Sequence, residues 1–231
     1  MSSSIPTTEH RYFKPSEQLL GQRARGSNQT EGNYRGDMSL PSNTGADVKE
    51  EDNTNLWITG LPGSITYHEL LGAITKTGRI RSSVINQPNE GTATAAASIS
   101  FFKRQEAEVL YHAIDEGKLM IGGQFPRVRW NRNRVAEPKT TEYVSRVLLV
   151  VGDLQVVNRE YLERFWAGKF VYDIDEVINH GTTTAEDSGP LGRLEYRFGS
   201  WRAQAAMAAK SLNEELAGFL KTEFGKDPCD V

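Results

Sequence analysis

The chain has 231 residues, of which 38 % are apolar and 25 % charged, and its formal net charge is −3. No run of eighteen apolar residues occurs, so no membrane-spanning helix is expected, and the opening MSSSIPTTEHRYF lacks the apolar stretch of a signal peptide. The single cysteine, Cys229, can form neither an internal disulfide nor a cysteine-based zinc site, which fits a reducing compartment.

Residues 1–52 are rich in Ser, Thr, Asn, Gly and Glu without a sustained apolar period, and a disordered tail is expected there. Its two Arg-Gly pairs, Arg25-Gly26 and Arg35-Gly36, are too few for an arginine-glycine RNA-binding tail. From residue 53 the pattern becomes ordered. Leu56–Leu61 reads as a strand, and Tyr67 to about Lys76 reads as a helix with Leu70, Leu71 and Ile74 on one face. Thr66 is its N-cap, with Glu69 three residues on as the capping-box partner. Ile80–Asn86 and Ala93–Phe102 read as the second and third strands. Arg104–Glu116 is a helix with Ala107, Leu110, Tyr111 and Ile114 inward, and Arg127–Trp130 is a fourth strand. The order β-α-β-β-α-β is that of the compact ferredoxin-like arrangement.

The order then repeats after a connector, 136–143, that contains Pro138. Arg146–Gly152 reads as a strand, and Asn158 caps a helix from Arg159 to about Lys169 with Tyr161, Leu162 and Phe165 inward. Asp175–Asn179 reads as a strand, HGTTTAEDSGP as a long polar loop, and Arg193–Phe198 as a cleanly alternating strand. Arg202 to about Leu216 is a helix, and Phe219–Phe224 closes the unit. The fold class is α+β: a tail (1–52) and two four-stranded antiparallel sandwiches (53–135 and 144–231), each with two helices.

Charge divides unevenly between the two units. Residues 53–135 hold ten basic and six acidic side chains (+4), and residues 144–231 hold ten and fourteen (−4). A polyanion is therefore expected to meet the first unit. Catalysis is not expected, because no metal-ligand cluster, GxSxG, phosphate loop or GxGxxG after a strand occurs. His10, His68, His112 and His180 are scattered, and no cofactor or metal is implied.

Within LWITGLP, Trp57 is out of phase with Leu56 and Ile58 and must point away from the core they face. The stretch resembles the first-strand motif of the RNA recognition motif family: aliphatic, aromatic, aliphatic, variable, Asn or Gly, Leu. Leu56 to Leu61 fill all six places. The resemblance implies a sheet whose open face stacks single-stranded bases on aromatic rings, with Trp57 at a stacking position. The family's third-strand motif aligns with TAAASISF, Thr94 to Phe101. Ala97, Ile99 and Phe101 suit its core-facing places, while Ala96 and Ser98 stand where rings would stack and Thr94 where a basic residue would. Each missing stack costs roughly 1–3 kcal/mol of binding. Arginine would compensate: Arg127 and Arg129 share the face of Trp57, Arg132 and Arg134 follow, and Thr59, Ser98 and Ser100 offer hydrogen bonds.

The second copy departs further from the family pattern. Leu148 stands at the aromatic place, Asp153 where Leu is usual, and Arg193 and Glu195 replace both rings of LGRLEYRF. A structural or protein-binding role is expected for it. A protein-binding variant of the family uses Arg-x-Phe before the last strand. Here Gly123-Gln124-Phe125 keeps only the Phe, which is read as a core or hinge residue. The resemblance thus implies a protein that binds single-stranded RNA through its first unit and acts in RNA processing or metabolism. The alternative is an adaptor in a ribonucleoprotein complex, with a protein partner on the second unit. Residence in the nucleus or cytoplasm is expected, the nucleus from the family alone, with no membrane partner.

Overall fold

The computed structural model describes residues 47–185 and 188–231. Most of the expected disordered tail lies outside the described residues, but its last part does not. Glu50–Asp52 forms a 3₁₀ turn immediately before the first strand. In the first unit β1 (Asn55–Leu61), β2 (Ile80–Asn86), β3 (Ala95–Phe101) and β4 (Arg127–Trp130) form an antiparallel sheet ordered β2-β3-β1-β4. Helices α1 (Tyr67–Gly72) and α2 (Arg104–Asp115) supply its core with Leu70, Leu71, Ala107, Leu110 and Ile114, packed on Leu56, Ile58, Ala97, Ile99 and Phe101.

Thr66 and Glu69 form the expected capping box at α1. The helix stops at Gly72 rather than near Lys76. The chain after it is bonded instead to the C-terminal segment, with the N–H groups of Lys76, Thr77 and Gly78 donating to carbonyls of Val231 and Cys229. Strand β4 is anchored by Trp130, which stacks on Tyr111 at 5.4 Å, while the Arg104 guanidinium lies 3.4 Å above the ring.

In the second unit β5 (Val147–Asp153), β6 (Ile174–Ala185), β7 (Ser188–Phe198) and β8 (Leu220–Phe224) form a sheet ordered β6-β7-β5-β8, covered by α3 (Arg159–Trp166) and α4 (Ala206–Glu215). Trp166 is fully buried at the centre of its core, with Tyr196 and Phe198 edge-on to it at 5.0 and 5.7 Å. Two expectations need correction here. Most of the stretch read as a polar loop extends β6 and β7, because threonines such as Thr182 and Thr183 pair across to Gly192 and Leu191. Threonine's β-branched side chain suits a pleated strand, and its polarity suits an exposed one. The helix expected from Arg202 opens instead as a π-turn, Trp201–Ala205, before α4 begins.

The units are joined along the free edge of β2. The Ser83 N–H and hydroxyl both donate to the Gly199 carbonyl at 2.8 Å, and Ser82 pairs with Ser200. Phe102 faces Trp201 at 5.3 Å. The chain after β8 then crosses back to the first unit and ends in a 3₁₀ turn, Pro228–Asp230. Cys229 belongs to the first unit's core and is fully buried, so the end of the span read as the second domain packs on the first. Beneath it the buried Arg146 guanidinium donates to Asp227 at 3.2 Å and to Asp175 at 2.7 Å.

Candidate nucleic-acid interface

Because Leu56 and Ile58 are in the core, Asn55, Trp57 and Thr59 project from the opposite face of β1, which α1 and α2 leave uncovered. Register places the neighbours. Trp57 lies opposite Ser98 on β3 and Arg129 on β4, and Ser98 lies opposite Val84 on β2. One row across the sheet is therefore Val84–Ser98–Trp57–Arg129. The next is Asn86–Ala96–Thr59–Arg127.

Trp57 is half-buried, whereas Arg127, Arg129 and Arg132 are exposed. Val84 is 40 % exposed and gives the first row an apolar flank. None of these three arginines has a carboxylate partner among the described residues. Ala96 and Ser98 do occupy the outward places of β3, so the sheet has the gap in rings that the alignment implies. What the arrangement offers is one large ring beside a guanidinium, with an apolar side chain at the far end of the row. That combination can stack a base and hold its phosphate.

The remaining named residues are placed less openly. The Ser98 hydroxyl donates to Asn55 Oδ1 and accepts from Asn131 Nδ2, both at 3.0 Å, within a mostly buried asparagine network. Ser100 points outward but is buried, at the end of the sheet where residues 131–136 fold back. There Arg81 reaches from β2 to the Ala136 carbonyl. Arg134 turns away from the sheet and donates to the Val48 carbonyl at 3.0 Å, with Glu50 nearby. Thr59, Trp57, Arg127 and Arg129 thus share one face, Arg132 stands at its margin, and Ser100 and Arg134 lie outside it. Phe125, read as core or hinge, is instead 62 % exposed.

Val84 and Arg81 are not evident in the sequence. A bulge between Ile80 and Ser82 reverses the phase of β2, so Val84 faces outward although it shares even spacing with the buried Ile80.

The second sheet presents Arg193, Glu195 and Arg197 outward, beside Glu176 and Leu149. Arg197 donates to Glu195 and Glu176 at 2.7 and 2.5 Å, and His180 lies 2.9 Å from Glu195. Burial pushes the Glu195 carboxyl up, but Arg197 and His180 outweigh it and hold the group below the usual carboxylate range. Glu195, Glu176 and Arg197 are thus satisfied among themselves, while the exposed Arg193 has no carboxylate partner among the described residues, and Asp227 and Pro228 line the open cleft over them.

No family model matches the chain, and no curated protein does. Among solved structures it is similar to the first two RRM domains of the yeast poly(U) binding protein Pub1. That match has 17 % identity and a TM-score of 0.29, and covers 74 % of this chain and 99 % of that one. It is also similar to RNA recognition domains 1 and 2 of Sex-lethal from Drosophila melanogaster, with 19 % identity and a TM-score of 0.28, over 75 % of this chain and 100 % of that one. The two strand orders, with paired helices on one face of each sheet, are themselves the ferredoxin-like arrangement of the RNA recognition motif fold.

Proposed function

We propose that the protein binds single-stranded RNA on the open face of its first sheet and acts in RNA processing or metabolism. The observation that carries this reading is the row Val84–Ser98–Trp57–Arg129, an outward tryptophan beside an arginine that has no acid partner among the described residues, with an apolar side chain at the row's end. Trp57 stacks a base, while Arg127, Arg129 and Arg132 meet phosphates or stack in turn. Thr59 supplies a hydroxyl on the same face. With one ring in place of three, affinity rests heavily on charge and falls as salt rises. The second unit serves as a buttress, because its own sheet face carries carboxylates that repel phosphate.

The test is fluorescence anisotropy of the full chain with a labelled random single-stranded RNA pool, at low and near-physiological salt. Wild type binds with a steep salt dependence, and Trp57→Ala weakens binding by roughly 5- to 150-fold, the equivalent of one lost stack. Equal binding by both proteins removes Trp57 from the interface. Failure of wild type to bind at low salt overturns the RNA reading and leaves the face to a protein partner, as in a ribonucleoprotein adaptor.

A further inference from the structure

The β2 edge brings two arginines from different units together. Ser82 pairs with Ser200, which sets Arg81 on one strand beside the π-turn that carries Arg202 on the other side of the junction. Arg81 is half-buried, and its Nη1 donates to the Ala136 carbonyl at 2.6 Å, which fixes the guanidinium in place. Arg202 is exposed. Neither has a carboxylate partner among the described residues. Burial, and then the neighbouring Arg202 charge, lower the pKa of Arg81.

Two like charges held together without an acid destabilise the fold unless an anion joins them. The surroundings point to which anion. Other described arginines without acid partners, Arg127, Arg129 and Arg132, lie on or beside the first sheet's open face, whose β2 strand carries Arg81. Exposed Val84 is the β2 end of the Trp57 row, three residues along the same strand from Arg81, and β2 stands two strand spacings, about 10 Å, from Trp57.

We propose that Arg81 and Arg202 form a phosphate site that carries a single RNA strand from Trp57, across Val84 and the β2 edge, onto the π-turn of the second unit. The second unit thus contributes to RNA binding through the turn before α4 and not through its sheet, where Arg197 is held by Glu176 and Glu195 and the exposed Arg193 shares its face with those carboxylates. The inference rests on the RNA reading of the first sheet.

The experiment repeats the RNA titration with the full chain across a salt series for wild type, Trp57→Ala, Arg202→Glu and Arg202→Lys. Arg202 is exposed, so Arg202→Lys is expected to keep the wild-type urea midpoint, and Arg202→Glu, which sets an acid near Arg81, to match or exceed it; both are checked first. Arg202→Glu binds more weakly, and its plot of log affinity against log salt is shallower by about 0.7, the value of one phosphate contact on a single strand. Arg202→Lys keeps the wild-type slope. Trp57→Ala loses affinity at nearly unchanged slope, because stacking releases no counterions. If Arg202→Glu matches wild type in affinity and slope while Trp57→Ala binds weakly, the seam site is overturned and the sheet reading stands. If wild type does not bind, both fall together.

Discussion

Asp227→Ala tests how the two units are held as one. The Asp227 side chain is fully buried, and its two oxygens serve three donors: Arg146 Nε at 3.2 Å, the Cys229 N–H at 3.1 Å and the Ile80 N–H at 2.9 Å. The carboxylate therefore ties the start of β2, the start of β5 and the C-terminal segment to one point. Burial alone would pull the Arg146 pKa down, but the Asp227 and Asp175 carboxylates more than reverse it, so the guanidinium stays charged. In Asp227→Ala that buried charge keeps Asp175 and the Phe198 carbonyl, at 2.7 and 3.1 Å, and two backbone N–H groups lose their acceptor. Removing one partner of a buried pair costs about 3–5 kcal/mol, and a stranded N–H about 1–3 kcal/mol. These terms overlap, so about 4 kcal/mol is expected, or a fall in Tm of roughly 8–16 °C. Asp227→Asn, which keeps an acceptor and loses the charge, falls between wild type and Asp227→Ala. Urea and thermal unfolding followed by tryptophan fluorescence measure both variants. A loss below about 1 kcal/mol in Asp227→Ala would refute the reasoning, since the buried triad would then not be holding the units together.

The Cys229 thiol is pushed up to about 12 by burial and by the Asp227 charge, against the pull of Arg146. Stability gained by keeping it neutral is complete below the ordinary thiol value of 9.0 and is lost as pH rises through 12. The stability difference between wild type and Cys229→Ala should therefore shrink from pH 9 upward, as read from urea midpoints, and rapid alkylation of native protein at neutral pH would contradict the burial. At Gly152 an added Cβ would lie 2.3 Å from the Phe219 carbonyl oxygen and 2.6 Å from the Leu220 Cα, forcing β5 from β8. Gly152→Ala is expected to cost about 1–3 kcal/mol by overpacking. Gly218→Ala, whose Cβ meets nothing within 4 Å, is the control in the same urea series.

Much of the architecture is legible in the sequence because it is written in local periodicity. Leu56 and Ile58 flank Trp57, and that alternation alone places the tryptophan on the uncovered face. Arg127 and Arg129 follow by the same rule, against Val128 and Trp130, which pack on the core. The rule fails where the chain breaks phase or leaves the sheet. The β2 bulge turns Val84 outward, a reversal that the composition of IRSSVIN does not announce. Arg132 and Arg134 continue the two-residue spacing after Trp130, but β4 has ended and the chain folds back, so Arg134 meets Val48 instead of the open face. Ser100 is in phase with Ser98 yet buried, because what covers it comes from elsewhere in the chain. The KDPCDV terminus has no apolar period, and its docking on the first unit is a tertiary fact: a buried thiol, an acid for Arg146 and acceptors for the amides after α1.

On the proposed RNA reading, the junction gives the depleted sheet a means of compensation. Losing two stacking positions removes roughly 2–6 kcal/mol that three rings would supply, and flexible arginines recover only part of it, because each must be ordered when RNA binds. Arg81 is already held by the Ala136 carbonyl, and Arg202 is carried on a unit fixed by the Ser82–Ser200 pairing and the Arg146–Asp227 bridge. Two charges on separately tumbling domains would meet one strand at an effective concentration set by their linker, whereas here their spacing is built into the fold. The second unit has carboxylates where its own sheet would bind phosphate, so its contribution lies in where it holds one arginine. On this reading the rigid junction is part of the RNA site and not merely its support.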